Sequence, residues 1–182
     1  MMRIVKDNKG DRQMLKEKNT YTVEQEMIAD NDTLIITDPC YIMKDEHWEH
    51  FLNLEFSSQP IGLDNYLRKY HNFGELLAGD TGIGDWNNEV FNSMTGEVLG
   101  EFAADAGMVI VCTASDLTNY GYDKDEVQRL KENGCLTIIE DFTGHIQLEH
   151  HYDEYGNKLA VIKGASNDSN EVEFYFETKD WD

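Results

Sequence analysis

Apolar residues along the chain recur in short runs and short alternations, and these place the secondary structure. Residues 33–37 (TLIIT) form a β-branched run bounded by Asn31-Asp32 and Asp38-Pro39. That pattern predicts a buried strand ending where proline removes a backbone donor. Residues 21–27 alternate weakly and predict an edge strand. Over 44–54, Trp48, Phe51 and Leu52 fall at i, i+3 and i+4 behind the acids Asp45, Glu46 and Glu49, the pattern of an amphipathic helix. A second helix is predicted over 63–77, with Leu63, Tyr66, Leu67 and Tyr70 on one face. The glycine-rich stretch 79–86 (GDTGIGDW) predicts a loop, followed by strands over 89–92, 98–102 and 108–114. Asp116 is the expected cap of a short helical stretch. Residues 123–133 predict a further helix, with Val127 and Leu130 inward and Gly134 as its stop. The last third reads as four strands, 136–142, 146–152, 158–163 and 172–177, linked by Thr143-Gly144, 153–157 and 164–170. Together these predict an α+β fold, an antiparallel β-sheet meander with two to three helices packed against it.

Charge changes this picture more than composition does. The 182 residues carry a formal charge of −21, and their length suits one domain. Residues 1–19 hold six bases (Arg3, Lys6, Lys9, Arg12, Lys16 and Lys18) and three acids, for a net +3. They read as a mobile basic arm. Residues 20–182 read as a single acidic domain of net −24, with nine bases and 33 acids. Such a body does not bind nucleic acid phosphates directly, because that needs clustered lysine and arginine. It suits the presentation of carboxylates to a basic surface, including one built to hold DNA or RNA; solubility alone is the plainer account of the same charge. The longest apolar runs, such as 108–112, fall far short of the roughly 20 residues of a bilayer span. The N-terminal segment lacks the apolar core of a secretory signal. No membrane is therefore expected, and the localisation expected is cytoplasmic.

Candidate chemistry is sparse. Cys40, Cys112 and Cys135 are odd in number without C-x-x-C spacing, against a disulfide framework or zinc knuckle. His47 and His50 stand at i, i+3, a spacing that can chelate a metal with help from His150-His151, but their setting among charged residues reads as surface. The 79–86 stretch has no phosphate-binding lysine. Its Asp80 and Asp85 lack the alternating carboxylates of a calcium loop. Cys40 has His47 nearby in sequence, yet nothing marks an oxyanion hole or a third member. G-x-S-x-G and H-E-x-x-H are both missing from the sequence. No enzyme is expected, and no catalytic residue, cofactor or metal ligand.

The segment Ile35-Ile36-Thr37-Asp38-Pro39-Cys40-Tyr41 is followed by the helix carrying Trp48, by Gly84-Asp85-Trp86 and by Asp105-Ala106-Gly107-Met108. Over residues 33–115 the chain resembles a set of small uncharacterised phage and bacterial proteins with a D-P-C-Y turn. The resemblance implies a mobile-element setting in a bacterial cell, and no reaction. A plainer account of the turn is that Asp38 caps backbone donors and Tyr41 packs in the core. In size and acidity the chain is also similar, at the level of class, to anti-CRISPR proteins that block Cas9-type effectors. That implies an inhibitor which mimics nucleic acid and occupies the arginine-lined DNA channel of its partner. The carboxylates expected to face the partner are Glu140, Asp141, Glu149, Asp153 and Glu154. A homodimer is compatible with this reading. The alternatives are a sponge for a nucleotide signal, with Asp38, Tyr41, Asp80, Asp85 and Trp86 about the 79–84 loop as its pocket, and a housekeeping domain. A nucleotide pocket needs bases, and outside the arm only Arg68-Lys69 and the Lys124/Arg129/Lys131 helix offer them together.

Overall fold

The structure is a computed structural model that describes residues 5–7, 10–12, 22–81, 84, 86–152, 154–156, 158–166 and 173–177. Its elements in chain order begin with β1 (Val5–Asp7), β2 (Gly10–Arg12), β3 (Thr22–Thr37), a 3-10 turn (Pro39–Tyr41), α1 (Asp45–Glu55) and α2 (Leu63–His71). There follow β4 (Leu77–Asp80), β5 (Trp86–Asn92), β6 (Val98–Ala104), β7 (Met108–Thr113), α3 (Ala114–Tyr120) and α4 (Lys124–Glu132). The chain then forms β8 (Leu136–Tyr152), β9 (Lys158–Ser166) and β10 (Glu173–Glu177). The fold is α+β with strands dominant.

Eight strands form one antiparallel sheet in the order β4-β7-β3-β8-β9-β10-β5-β6. The predicted meander is present as β8-β9-β10. Two pairs of predicted strands are each a single strand. Residues 21–27 and 33–37 both belong to β3, and 136–142 and 146–152 both belong to β8. The turn-forming residues between them do not turn the chain, because both strands keep a ladder partner there. Gly144 pairs with Ala29 on one side and with Ser166 on the other. The irregularity is absorbed as facing bulges, with Asn31 and Asp141 both at φ 53, a left-handed conformation that Asn and Asp tolerate better than most residues. Within the predicted arm, β1 and β2 pair antiparallel as a sheet of their own. Residues 1–4, 8–9 and 13–19 of the arm lie outside the described residues.

Four α-helices are described, against the two or three expected. Thr113, and not Asp116, caps α3: the Asp116 N–H donates to Thr113 Oγ1 at 3.1 Å. Asp123 caps α4 through a reciprocal capping box with Glu126. The helix predicted over 63–77 stops at His71, because Asn72 turns left-handed at φ 58 and frees Leu77 to begin β4.

The continuous apolar runs of β3 and β7 follow from burial on both faces. Ile35, Ile110 and Cys112 meet α1, α2 and α3 through Phe51, Leu63, Tyr66, Leu67 and Leu117. Leu34, Ile36, Val109 and Val111 line the other face, where the sheet curls so that Val90, Phe102 and Ala104 of β5 and β6 cover it. The curl brings β6 against the start of β8. The Ala103 N–H donates to the Gly134 carbonyl at 3.0 Å, and a Cβ on Gly100 would sit 2.6 Å from Thr137 Cγ2.

Candidate functional site

The D-P-C-Y turn and the segment Asp105–Met108 are two sequence features joined by one carboxylate. Asp38 is fully buried. Its Oδ1 accepts from the Cys40 N–H at 2.9 Å, and its Oδ2 accepts from the Ala106 and Met108 N–H groups at 2.9 and 3.2 Å. Burial pushes this carboxyl above the ordinary aspartate range, against the pull of those hydrogen bonds. The Tyr41 hydroxyl bonds the Asp105 carboxylate, and burial and that carboxylate both raise its pKa. Asp80 pairs with Met108, the Thr81 N–H donates to the Gly107 carbonyl at 2.8 Å, and the Trp86 backbone pairs with Ala104. Gly84 lies so close to the Asp105 carbonyl that a Cβ would be 2.7 Å from its oxygen. Asp38, Tyr41, Asp80 and the backbone of Trp86 therefore converge on the 105–108 turn. Asp85 and the side chain of Trp86 lie outside the described residues. The Cys40 thiol, flanking the same turn, is pushed up to about 12, first by burial and then by the Asp38 carboxylate. It is a thiol at neutral pH, which is the wrong form for a nucleophile.

The acidic surface takes a different shape from the one expected. Glu140 and Asp141 are exposed at the β8 bulge, and the facing β3 bulge adds an exposed Asp30 and a half-buried Asp32. The Asn31 N–H donates to Thr143 Oγ1 at 2.8 Å and ties the two bulges together. Residues far apart in sequence thus place four carboxylates around one irregularity, and neither strand contains a lysine or arginine. Glu149 is only 8% exposed and so does not face solvent as expected. Glu154 is exposed in the β8–β9 turn. It lies beyond the end of β8, on the order of 30 Å from the bulge at about 3.3 Å per strand residue. Asp153 lies outside the described residues. Sequence reading missed Asp30 and Asp32, since their neighbours depend on the register of β3 against β8.

A third arrangement joins three helices. The Tyr66 hydroxyl donates to the His47 carbonyl at 3.0 Å and is approached by His50 Nδ1 at 3.0 Å and His71 Nε2 at 3.4 Å. The Tyr120 hydroxyl lies 2.6 Å from His47 Nδ1, and the His47 and His71 ring centroids are 4.1 Å apart. His47 thus partners a tyrosine of α3. No group of three His, Cys, Asp or Glu side chains among the described residues is arranged to hold a metal ion. The side chains of His150 and His151 lie outside them. No described helix is long and apolar enough to cross a membrane.

Compared with family models, curated proteins and solved structures, the chain matches none.

Proposed function

We propose that this protein is a non-enzymatic inhibitor that binds a nucleic-acid-handling protein through an acidic surface and competes with the nucleic acid. The observation that carries this reading is the facing-bulge cluster of Asp30, Asp32, Glu140 and Asp141 on two central strands without lysine or arginine. No described lysine or arginine forms an ion pair with these four, whereas Arg68 holds Asp64 at 2.8 Å elsewhere. Carboxylates with no described cation paired to them suit the cations of a partner, and the β3–β8 register fixes their spacing. A partner that holds DNA with arginines offers the complement, and a Cas9-type CRISPR effector is the partner this reading favours.

The test uses a purified Cas9-type effector with its guide and target DNA. The protein is expected to reduce DNA binding by the effector. A variant carrying Asp30→Lys, Glu140→Lys and Asp141→Asn is expected to bind about tenfold or more weakly at low salt, since close interfacial charge pairs couple by about 1.5 kcal/mol or more. Asparagine is chosen at position 141 because it tolerates the left-handed backbone there. An effector whose DNA binding is untouched removes that partner. A wild-type complex indifferent to the triple change removes this surface.

A further inference from the structure

The hydrogen-bond geometry of the helix cluster is compatible with neutral imidazoles. Tyr66 is fully buried, and its single hydroxyl hydrogen goes to the His47 carbonyl. The nitrogens that reach the same oxygen, His50 Nδ1 and His71 Nε2, must therefore be donors. The Tyr120 hydroxyl accepts the Lys44 backbone N–H at 3.0 Å and lies 2.6 Å from His47 Nδ1, to which it can donate its own hydrogen. His47 then carries its hydrogen on Nε2, which faces Glu46 at 3.8 Å. Every one of these contacts is satisfied with all three histidines neutral.

Protonation upsets this arrangement. A charged His71 sits against the His47 ring with centroids 4.1 Å apart. The groups around His71 are His47, His50, Lys44 and Glu46 from α1 and the residue before it, Tyr66 and Tyr70 from α2, and Tyr120 from α3. Lys44 adds a cation 5.7 Å from the Tyr120 ring centre. Glu46 is the acid in contact with the cluster, and at 80% exposure it offers little compensation.

We propose that His71, stacked on His47 and bonded to Tyr66, is a proton-sensitive latch, which helps fasten α1 and α2 to α3 at neutral pH and loosens them on acidification. The three helices meet through these side chains, Tyr66 and Tyr120, and through the apolar contacts of Phe51, Leu63, Leu67 and Leu117. Release would uncover the apolar faces bearing Phe51, Leu63 and Leu67. In keeping with this, burial first, and then His47, His50 and Lys44, hold the His71 midpoint below the ordinary imidazole value. Between that lowered midpoint and about 6.5 in the unfolded chain, the unfolded state binds more protons. The latch is therefore fully effective above about pH 6.5 and weakens as pH falls through that window.

Histidine and amide NMR of the whole chain from pH 8 to 5 tests the proposal directly. The His71 midpoint is expected below about 6.5, with α1 and α2 amides moving in the same window while β3 and β8 stay fixed. A midpoint at or above the ordinary value, or helix amides unmoved as His71 titrates, would overturn the latch. As a second measurement, His71→Gln keeps an N–H donor for Tyr66 and removes the charge. Between pH 7.5 and 5.5 the wild type is expected to lose about 2–4 °C in Tm relative to this variant. Taking the difference cancels the carboxylate titrations that both chains share. Equal losses in the two chains would count against the proposal as firmly as an ordinary midpoint.

Discussion

Asp38 and Thr137 are buried polar side chains in opposite situations, and each makes a prediction. The Asp38 carboxylate accepts from three backbone N–H groups, on both sides of the D-P-C-Y turn, and from the Cys40 thiol. Asp38→Asn keeps one acceptor oxygen and turns a donor toward the remaining N–H groups. At least one buried N–H then lacks an acceptor, at a cost of about 1–3 kcal/mol. Urea unfolding checks this, and an unchanged midpoint would mean that Asp38 does not hold the two segments together. Thr137 Oγ1 is buried with no hydrogen-bond partner among the described residues. Thr137→Val removes that hydroxyl and keeps the shape, so it is expected to be neutral or to stabilise by about 1 kcal/mol. A loss of that size would reveal a partner for the hydroxyl.

The way β6 folds back over β8 brings Gly100 into close approach with Thr137. A methyl group there would lie 2.6 Å from Thr137 Cγ2 and 2.9 Å from Oγ1. Gly100→Ala is expected to cost about 1–3 kcal/mol through overpacking, and Thr137→Ala in the same chain should recover most of it. A double-mutant cycle in thermal unfolding measures that coupling, and additive losses would show that the curl is looser than described. Elements of this kind were only partly legible in the sequence. TLIIT and the apolar run at 108–112 announced strands because burial on both faces leaves a continuous run. Asp123 and Gly134 announced the ends of α4 because capping chemistry is local. Asn31-Asp32 and Thr143-Gly144 misled, since turn-formers also suit a bulge and only the ladders on both sides decide between them. The candidate surface was half legible for the same reason: Glu140 and Asp141 stand side by side in sequence, whereas Asp30 and Asp32 reach them through register alone. The histidine cluster was less legible still. His47 and His50 share a helix, but His71 and Tyr120 come from two others, and no periodicity links three helices.

At the scale of the whole molecule, the decisive property is a body of net −24 that must fold against its own repulsion and, if the proposed function holds, attract a cationic partner. These two consequences respond to salt with opposite signs. Raising NaCl from 0.01 to 1 M shortens the Debye length from about 30 Å to about 3 Å. In the free protein this screens carboxylates from one another, so Tm should rise, by about 2–4 °C for each kcal/mol of repulsion relieved. In the complex it screens carboxylates from arginines, so affinity should fall over the same series. Sodium chloride is the right salt for the comparison, because sulfate strengthens apolar burial whatever the charge. Differential scanning fluorimetry of the free chain and titration calorimetry of the complex read the two trends from one set of buffers. A Tm that does not move would mean that the surface carboxylates barely repel each other, and solubility would then suffice to explain their number. An affinity that does not move would mean that the contact is apolar, in which case exposed groups such as Phe56 and Met94, and not the β3–β8 bulge, would be the place to look for the partner.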